Sequence, residues 1–408
     1  MPSVLREVDL QSLTHIWISH EHPDHFHPES LRFIRSVADQ EITLLFQETV
    51  DSRVVNWCLD EGFKVDLGSN ETWISLNETF KIMIGKVGLY DSWAAFTAGG
   101  FTFLDLNDCV FPTSKHLNKV REVLGEIDCL MAQFSYASWL GNPEETEFRE
   151  REAKNRGDKL VELVQQLNPV TVIPAASFSW FSHEENSYLN DFRIDVGEAV
   201  KKIESAGSVA IVLMPGEEWD LGVEHENSTG IAFYDDAWDV SDRELHTAES
   251  VDFDVLELAA LKFSRKLKKR NNRFLLELLK LPIIKLISPL KLNLTDLNEI
   301  VELHPLRGLK RTSINHSTEE SVVSLHSSSL LYALKVDWGS DTLSVNGRFR
   351  ADLDGAWRLN RTFWFAVLNN AGRYVRWREL LDGSFLEKAI RRIRVAVGVN
   401  RGSENAPL

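Results

Sequence analysis

The chain has 408 residues, 43% hydrophobic and 26% charged, with 12 Trp and 22 Phe. That composition excludes a disordered polypeptide, and the length points to two domains or one large domain with an appendage. The net charge of −16 argues against a general nucleic-acid binder, which needs a basic face, and an anionic substrate would need a locally basic or metal-containing pocket. From residue 13 to about 215 the pattern alternates strand and helix. LTHIWIS (13–19) reads as a buried strand, and PESLRFIRSVAD (28–39) as a helix with Pro28 in its first turn. EITLLF (41–46) is a second strand. TWISL, FKIMIGKV, WAAFTAG and FTFLDLN follow as short β runs, and Gly99-Gly100 between the last two predicts a hairpin turn. A polar helix over 144–167 leads into a strand at VTVIPAASF, and SVAIVLM (208–214) is a further strand.

Residues 215–256 turn acidic and loop-like, as in PGEEWDLG and YDDAWDVSD. Residues 257–293 read as helical, broken by Pro282 and Pro289. Within them SRKLKKRNNR carries six cations in ten residues. Beside FLLELLKLPIIKL it could touch a membrane surface or an anionic partner, or simply be a solvated helix end before a core helix. Over 325–400 the segments SLLYALKV, DTLSVNGRF and TFWFAVL read as strands around an Asn346-Gly347 turn, followed by a closing helix at 379–397. Trp338, Trp357, Trp364 and Trp377 are expected in the core or in pocket walls. The expected division is 1–235, a metal-binding domain; 236–310, an acidic linker and helical region; and 311–408, an α+β domain.

Cys58, Cys109 and Cys129 are the only cysteines. None belongs to a C-x-x-C or C-x-H pair, so this chain contains no thiolate zinc site and no Rieske cluster. Scattered thiols suit a reducing compartment. MPSVLREVDLQS does not read as a signal peptide, and no apolar run reaches the roughly 18 residues of a transmembrane segment. The expectation is a cytoplasmic protein without a transmembrane segment.

The densest chemical signal is SHEHPDHF at 19–26. An extended segment puts residues i and i+2 on one side, so His20 and His22 can face one space as the strand ends. Pro23 turns the chain, and Asp24 and His25, expected at the start of the next helix, can face that space from the other side. Neutral imidazoles and a carboxylate are ligands that zinc, iron and manganese accept. His15 and His27 read as packing or capping residues.

The pattern H-x-H-x-D-H over 20–25 resembles the metallo-β-lactamase superfamily. Within it the chain is most similar to the catalytic half of the CMP-N-acetylneuraminic acid (CMP-sialic acid) hydroxylases, through ISHEHPDHF, DSW at 91–93 with FTFLDLNDC, DCLMAQFSYAS, IPAASFSWFSHEEN and PGEEWDLG. The resemblance covers roughly residues 13–235. It implies an α/β fold, the αββα sandwich of that superfamily, here starting about 15 residues before the motif and so without its usual first strands. A C-terminal α+β unit, faintly like a sterol-carrier domain in SSLLYALKVDWGSDTLSVNGRF, would follow. The resemblance also implies that Asp108 is the bridging aspartate and His183 the distal histidine, with Glu184, Glu185 and Asn186 orienting it.

One departure bears on the chemistry. Superfamily members carry another histidine where this chain has GKVGLYDSW, with Asp91 the nearest carboxylate and His116 farther on. If Asp91 joined His20 and His22, the first metal would have two His and one carboxylate, a set that with open positions favours non-haem iron and oxygen chemistry. The metal candidates are therefore His20, His22, Asp24, His25, Asp108 and His183, with Asp24 and Asp91 as candidate catalytic carboxylates. One or two metal ions are expected, iron ahead of zinc. The first expected function is an iron-dependent monooxygenase acting on a sugar nucleotide or related small metabolite, supplied with electrons by a separate Rieske or ferredoxin-type donor. The second is a binuclear zinc hydrolase of phosphoester, ester or amide bonds, in which Asp24 would position a water activated by both cations. The third is a truncated, non-catalytic remnant.

Overall fold

Leu44 and Phe46 point to one face of their strand and Leu45 to the other, and that alternation builds the N-terminal architecture. The computed structural model describes residues 10–49, 51–88, 90–109, 111, 114–239, 244–280, 286–313 and 322–377. They fall into two units, Met1–Thr247 with Val345–Gly347, and Ala248–Ser344 with Arg348–Leu408. The first unit runs β1 (His15–Trp17), α1 (Pro28–Val37), β2 (Thr43–Gln47), α2 (Arg53–Asp60), β3 (Lys64–Gly68), β4 (Trp73–Ser75), β5 (Lys81–Val87), β6 (Asp91–Ala98) and β7 (Phe101–Asp105). It continues with α3 (Ser114–Leu124), β8 (Cys129–Gln133), α4 (Thr146–Leu167), β9 (Thr171–Ala175), α5 (Val196–Ser205), β10 (Val209–Ala210) and α6 (Ser228–Trp238).

β1, β2 and β3 form a parallel sheet, and the other seven strands form a second sheet in the order β10-β9-β8-β7-β6-β5-β4. The sheets face each other through Leu45 of β2, Ile82 and Ile84 of β5 and Ala94 of β6. On the outer face of the small sheet, Leu44 and Phe46 pack with Leu31 of α1 and Val54 and Cys58 of α2. On the outer face of the large sheet, Met83, Ala95 and Leu104 pack with Leu117, Leu160 and Ala199 of α3, α4 and α5. The layers are therefore helix, sheet, sheet and helix, the αββα sandwich expected from the sequence. Each fully buried Leu, Ile or Phe contributes roughly 1.5–3 kcal/mol. At the expected hairpin Ala98 pairs with Phe101, and Gly99 and Gly100 take φ of 60° and 89°, the paired positive values that a two-residue turn matching strand twist requires.

Unit 2 contains α7 (Phe253–Arg270), α8 (Arg273–Leu278), β11 (Leu290–Leu294), β12 (Glu299–His304), β13 (Gly308–Arg311), β14 (Val323–Leu325), α9 (Ser327–Lys335), α10 (Gly339–Asn346), β15 (Phe349–Arg350) and α11 (Leu353–Asn370). Its sheet has the order β13-β12-β11-β14-β15. The boundary expected at 310/311 thus falls inside one sheet. The helical reading of 257–293 fails at its end, where β11 begins straight after Pro289.

A larger correction concerns the three strands expected over 329–368: those residues lie almost entirely in α9, α10 and α11. Their aromatic and β-branched content suggested strand, yet the buried positions recur three and four apart, as in Leu330, Ala333 and Leu334, and in Leu359 and Phe363. Asp352 caps α11 by accepting a hydrogen bond from Gly355 N at 2.6 Å, and His326 caps α9 at Ser328 N. Trp338 is buried as expected, but Trp357 and Trp377 are exposed. The acidic stretch after 215 carries α6, and the SVAIVLM strand narrows to β10. Pro282 and the expected helix at 379–397 lie outside the described residues. Among those described, no helix is long and apolar enough to cross a membrane.

Gly85 of β5 opposes Trp93 of β6, whose indole fills the space over it; a Cβ there would lie 1.9 Å from Trp93 Cε2. Trp93 is fully buried and cannot swing away. Gly85→Ala should therefore overpack the core and cost about 2–3 kcal/mol or more, read as a lowered urea midpoint, while Gly99→Asn, at the first central position of the exposed turn where φ is 60°, leaves the midpoint within about 0.5 kcal/mol of wild type.

Candidate metal centre

β1 extends its ladder through Ile18 N to Leu45 O at 3.0 Å and then releases the chain into the histidine loop. Pro23 and Asp24 form a tight turn closed by His25 N and Phe26 N, both donating to His22 O. The helix α1 starts only at Pro28, capped by His27 Nδ1. Asp24 and His25 therefore lie in the turn and not at the expected helix start. Asp108 is carried beyond β7 by Asn107, which takes a left-handed φ of 53° that asparagine tolerates well.

The loop and the β7 end bring His20, His22 and Asp108 together, with their potential ligand atoms all within 4.8 Å of one another. His20 is inaccessible to solvent, and its Nε2 lies 2.8 Å from His22 Nδ1. Asp108 reaches two histidines: Oδ1 lies 3.8 Å from His20 Nδ1 and Oδ2 3.5 Å from His25 Nε2. Asp24 Oδ2 lies 3.5 Å from the same His25 Nε2, on the exposed side. Asp91, at the start of β6, has Oδ1 3.8 Å from His20 Nδ1 and lies outside the tight trio. His183 is placed differently: its backbone forms an isolated bridge with His246, their rings are 5.6 Å apart, and it is not part of the trio. Asn186 does contact it, accepting a hydrogen bond from His183 N at 3.0 Å. His116 sits exposed on α3.

Electrostatics divides the site. Burial pushes His20 down to about 3 against the pull of Asp108, and burial also lowers His22. Both imidazoles are therefore neutral at pH 7, the form that binds a cation. Burial also disfavours a charged His25, but hydrogen bonds to Asp108 and Asp24 outweigh it and raise His25 to about 10. The His25 contact holds Asp24 down at about 2. Asp91 is raised to about 7 by burial and then by the Asp108 charge, so it can hold or release a proton near neutrality.

Sequence reasoning missed the residues that hold these side chains in place. Ser19 Oγ lies 3.1 Å from His20 Nδ1 and 3.3 Å from His25 Nδ1, and accepts from Asn107 Nδ2 at 2.6 Å. The Ser19 carbonyl accepts from Gln47 Nε2 at 3.1 Å and Ser92 Oγ at 2.6 Å. Gln47 also donates to Tyr90 O, and the Tyr90 ring lies 5.0 Å from that of His22. Ser19, Gln47 and Ser92 are all buried. The signals available were a serine directly before His20 and an asparagine directly before Asp108.

The residues fit a cation. Asp108 Oδ1 is buried without a hydrogen-bond partner among the described residues. Such an oxygen is costly unless a positive group meets it; His20, the imidazole beside it, is held neutral, and the cationic His25 lies on the other oxygen of Asp108.

No known protein family and no curated protein matches the sequence. Among solved structures, the chain is similar to the diiron β-hydroxylase CmlA from Streptomyces venezuelae at 15% identity and a TM-score of 0.38, over 50% of this chain and 44% of that one. It is similar to the metallo-β-lactamase-fold protein YhfI from Bacillus subtilis at 13% identity and a TM-score of 0.36, over 53% and 82%. It is also similar to the short form of human tRNase Z at 15% identity and a TM-score of 0.31, over 42% and 75%. The chain thus spans less than half the length of the hydroxylase.

The His25 shift makes a pH prediction for metal-free protein. Its folded pKa lies above the ordinary 6.5, so its pairing with Asp108 and Asp24 stabilises fully below about pH 6.5 and is lost as pH rises through about 10. The stability difference between wild type and His25→Gln, from urea unfolding in chelator, should be largest near pH 6 and vanish by about pH 11.

Proposed function

We propose that the first unit is the catalytic centre of a metal-dependent enzyme, with His20, His22 and Asp108 holding one cation, and that its reaction is an iron-dependent oxygenation of a small metabolite. The carrying observation is the ligand set: two imidazoles and one carboxylate within 4.8 Å. Two histidines and a carboxylate with open positions suit non-haem iron(II). Bound there, iron would supply one-electron and oxygen chemistry.

The chain's own residues orient and prepare that site. Ser19 fixes one nitrogen of His20 and leaves Nε2 facing His22. Asp91 beside His20 is placed to exchange a proton with a reacting group, and exposed Asp24 lies at the open side. The reading calls for an external electron donor of Rieske or ferredoxin type and a small-molecule substrate, with a sugar nucleotide the class favoured by the sequence resemblance.

One feature favours a second reading, a binuclear zinc hydrolase. The Asp108 carboxylate lies between His20 on one oxygen and His25, with Asp24, on the other. A carboxylate so placed can serve two cations, which would lower the pKa of a water between them.

Elemental analysis of protein purified without chelator separates these readings. Iron near one equivalent, with oxygen uptake in the presence of a reductant, is the expected result. Two zinc ions with turnover of a generic phosphodiester or ester would replace it by the second reading. A folded protein that holds no metal overturns both. His20→Ala/His22→Ala should lower bound metal at least tenfold with an unchanged far-ultraviolet spectrum, and Asp108→Asn should do the same.

A further inference from the structure

The second unit contains a cavity of about 280 Å³ between α7, α9 and the α9–α10 connection, near the lower end of the range for small-molecule sites. Its wall along α7 is divided. Val255, Leu258 and Ala259 form an apolar stretch, and Lys262, Lys266 and Arg270 continue the same helix face as cations four residues apart. Facing them are Lys335 at the end of α9, then Val336, Asp337 and buried Trp338. The cleft thus has an apolar end and a cationic end in a protein whose net charge is −16.

Two features set this cleft apart from a solvated helix surface. Four cations meet one carboxylate: Lys266 pairs with Asp337, while Lys262, Arg270 and Lys335 have no ion-pair partner among the described residues. Like charges at this helical spacing repel each other. Arg270 and Lys335 suit the helix dipole at their C-termini, but Lys262 lies two turns from the end of α7 and does not owe its place to it. Val255, Leu258 and Val336 also leave substantial apolar surface in water, and such clustering marks binding sites. Trp338 takes φ of 63°, rare for a bulky side chain, and Gly339 has no room for a Cβ, which would lie 2.5 Å from Tyr332 O. The backbone is thereby fixed with the indole in the cleft wall.

We infer that this cleft binds a small amphipathic organic anion, with its apolar body on Leu258, Val336 and Trp338 and its carboxylate or phosphate head among Lys262, Lys266, Arg270 and Lys335. From Leu258 to Lys266 the helix rises about 12 Å, the reach of a short-chain molecule and not of a bilayer lipid. The site lies wholly in the second unit and is independent of the metal reading.

The test uses the full chain and three probes with one tail: octanoate, octyl phosphate and 1-octanol. Calorimetry should show both anions binding at least tenfold more tightly than the alcohol. Lys262→Glu/Lys335→Glu, at exposed positions where folding is unaffected, should weaken the anions at least tenfold and leave the alcohol unchanged. Val336→Asp should weaken all three probes. His20→Ala/His22→Ala should leave all binding intact, which places it away from the metal centre. Octanoate binding that ignores the charge reversals, or that is lost with the histidines, overturns the proposal. So does binding to phosphatidylserine vesicles without binding of octanoate, which would assign the cations to a membrane surface.

Discussion

The burial of the His20 imidazole governs the candidate metal centre. A ring with no solvent access pays for charge heavily, so it stays neutral although a carboxylate lies within 4 Å. Because it is neutral, its lone pair is available to a cation, and the nearby Asp108 charge is left for His25 and for any cation the trio could hold. His25, barely a turn away in sequence, has partial solvent access and two carboxylates, and it is driven to the opposite state. Two histidines of one short motif thus end in different protonation states, one neutral and one cationic, set by burial against carboxylate contact.

That burial is possible because the polar groups around the loop are satisfied internally. Ser19 hydrogen-bonds with five side chains, bringing together the histidine loop after β1, the end of β2, the start of β6 and the residue before Asp108. A buried network of this kind rigidifies only when its members are paired. The two facing sheets supply the rigid frame: β1 delivers the histidines, and β7 delivers Asp108 on the other sheet. The apolar contact of Leu45, Ile82, Ile84 and Ala94 between those sheets is therefore also what sets the distance between ligands.

The two units were unequally legible. In the first, period-two alternation and turn glycines marked β1, β2, β5, β6 and β7 to within a few residues, because half-buried strands must alternate and Gly99-Gly100 must take positive φ. α2, β3, α3, β8 and α5 were missed: RVVNWCLD opens on no side-chain cap and KVDLG is mostly exposed, whereas the Asp195 cap with Glu198 three residues on was a start signal for α5 that went unread. In the second unit, Val, Phe and Trp were read as strand formers, whereas packing placed them on helices. Propensity there was overridden by tertiary contact, and the Asp352 and His326 caps were the local signs of it.

What the sequence determined by itself was the chemistry near the amino end. An apolar strand followed by His-x-His and a turn puts two imidazoles on one side, because that geometry is local to a few residues. It also determined the alternation that makes an α/β sandwich. Only the tertiary structure decided which distant groups join those imidazoles. It brought Asp108 into the trio, set Asp91 beside it and paired His183 with His246, and it gathered Lys262, Lys266, Arg270 and Lys335 around one apolar cleft. Those proximities depend on how strands and helices from separated segments pack, and the sum of many weak apolar contacts that fixes that packing is written in no single motif.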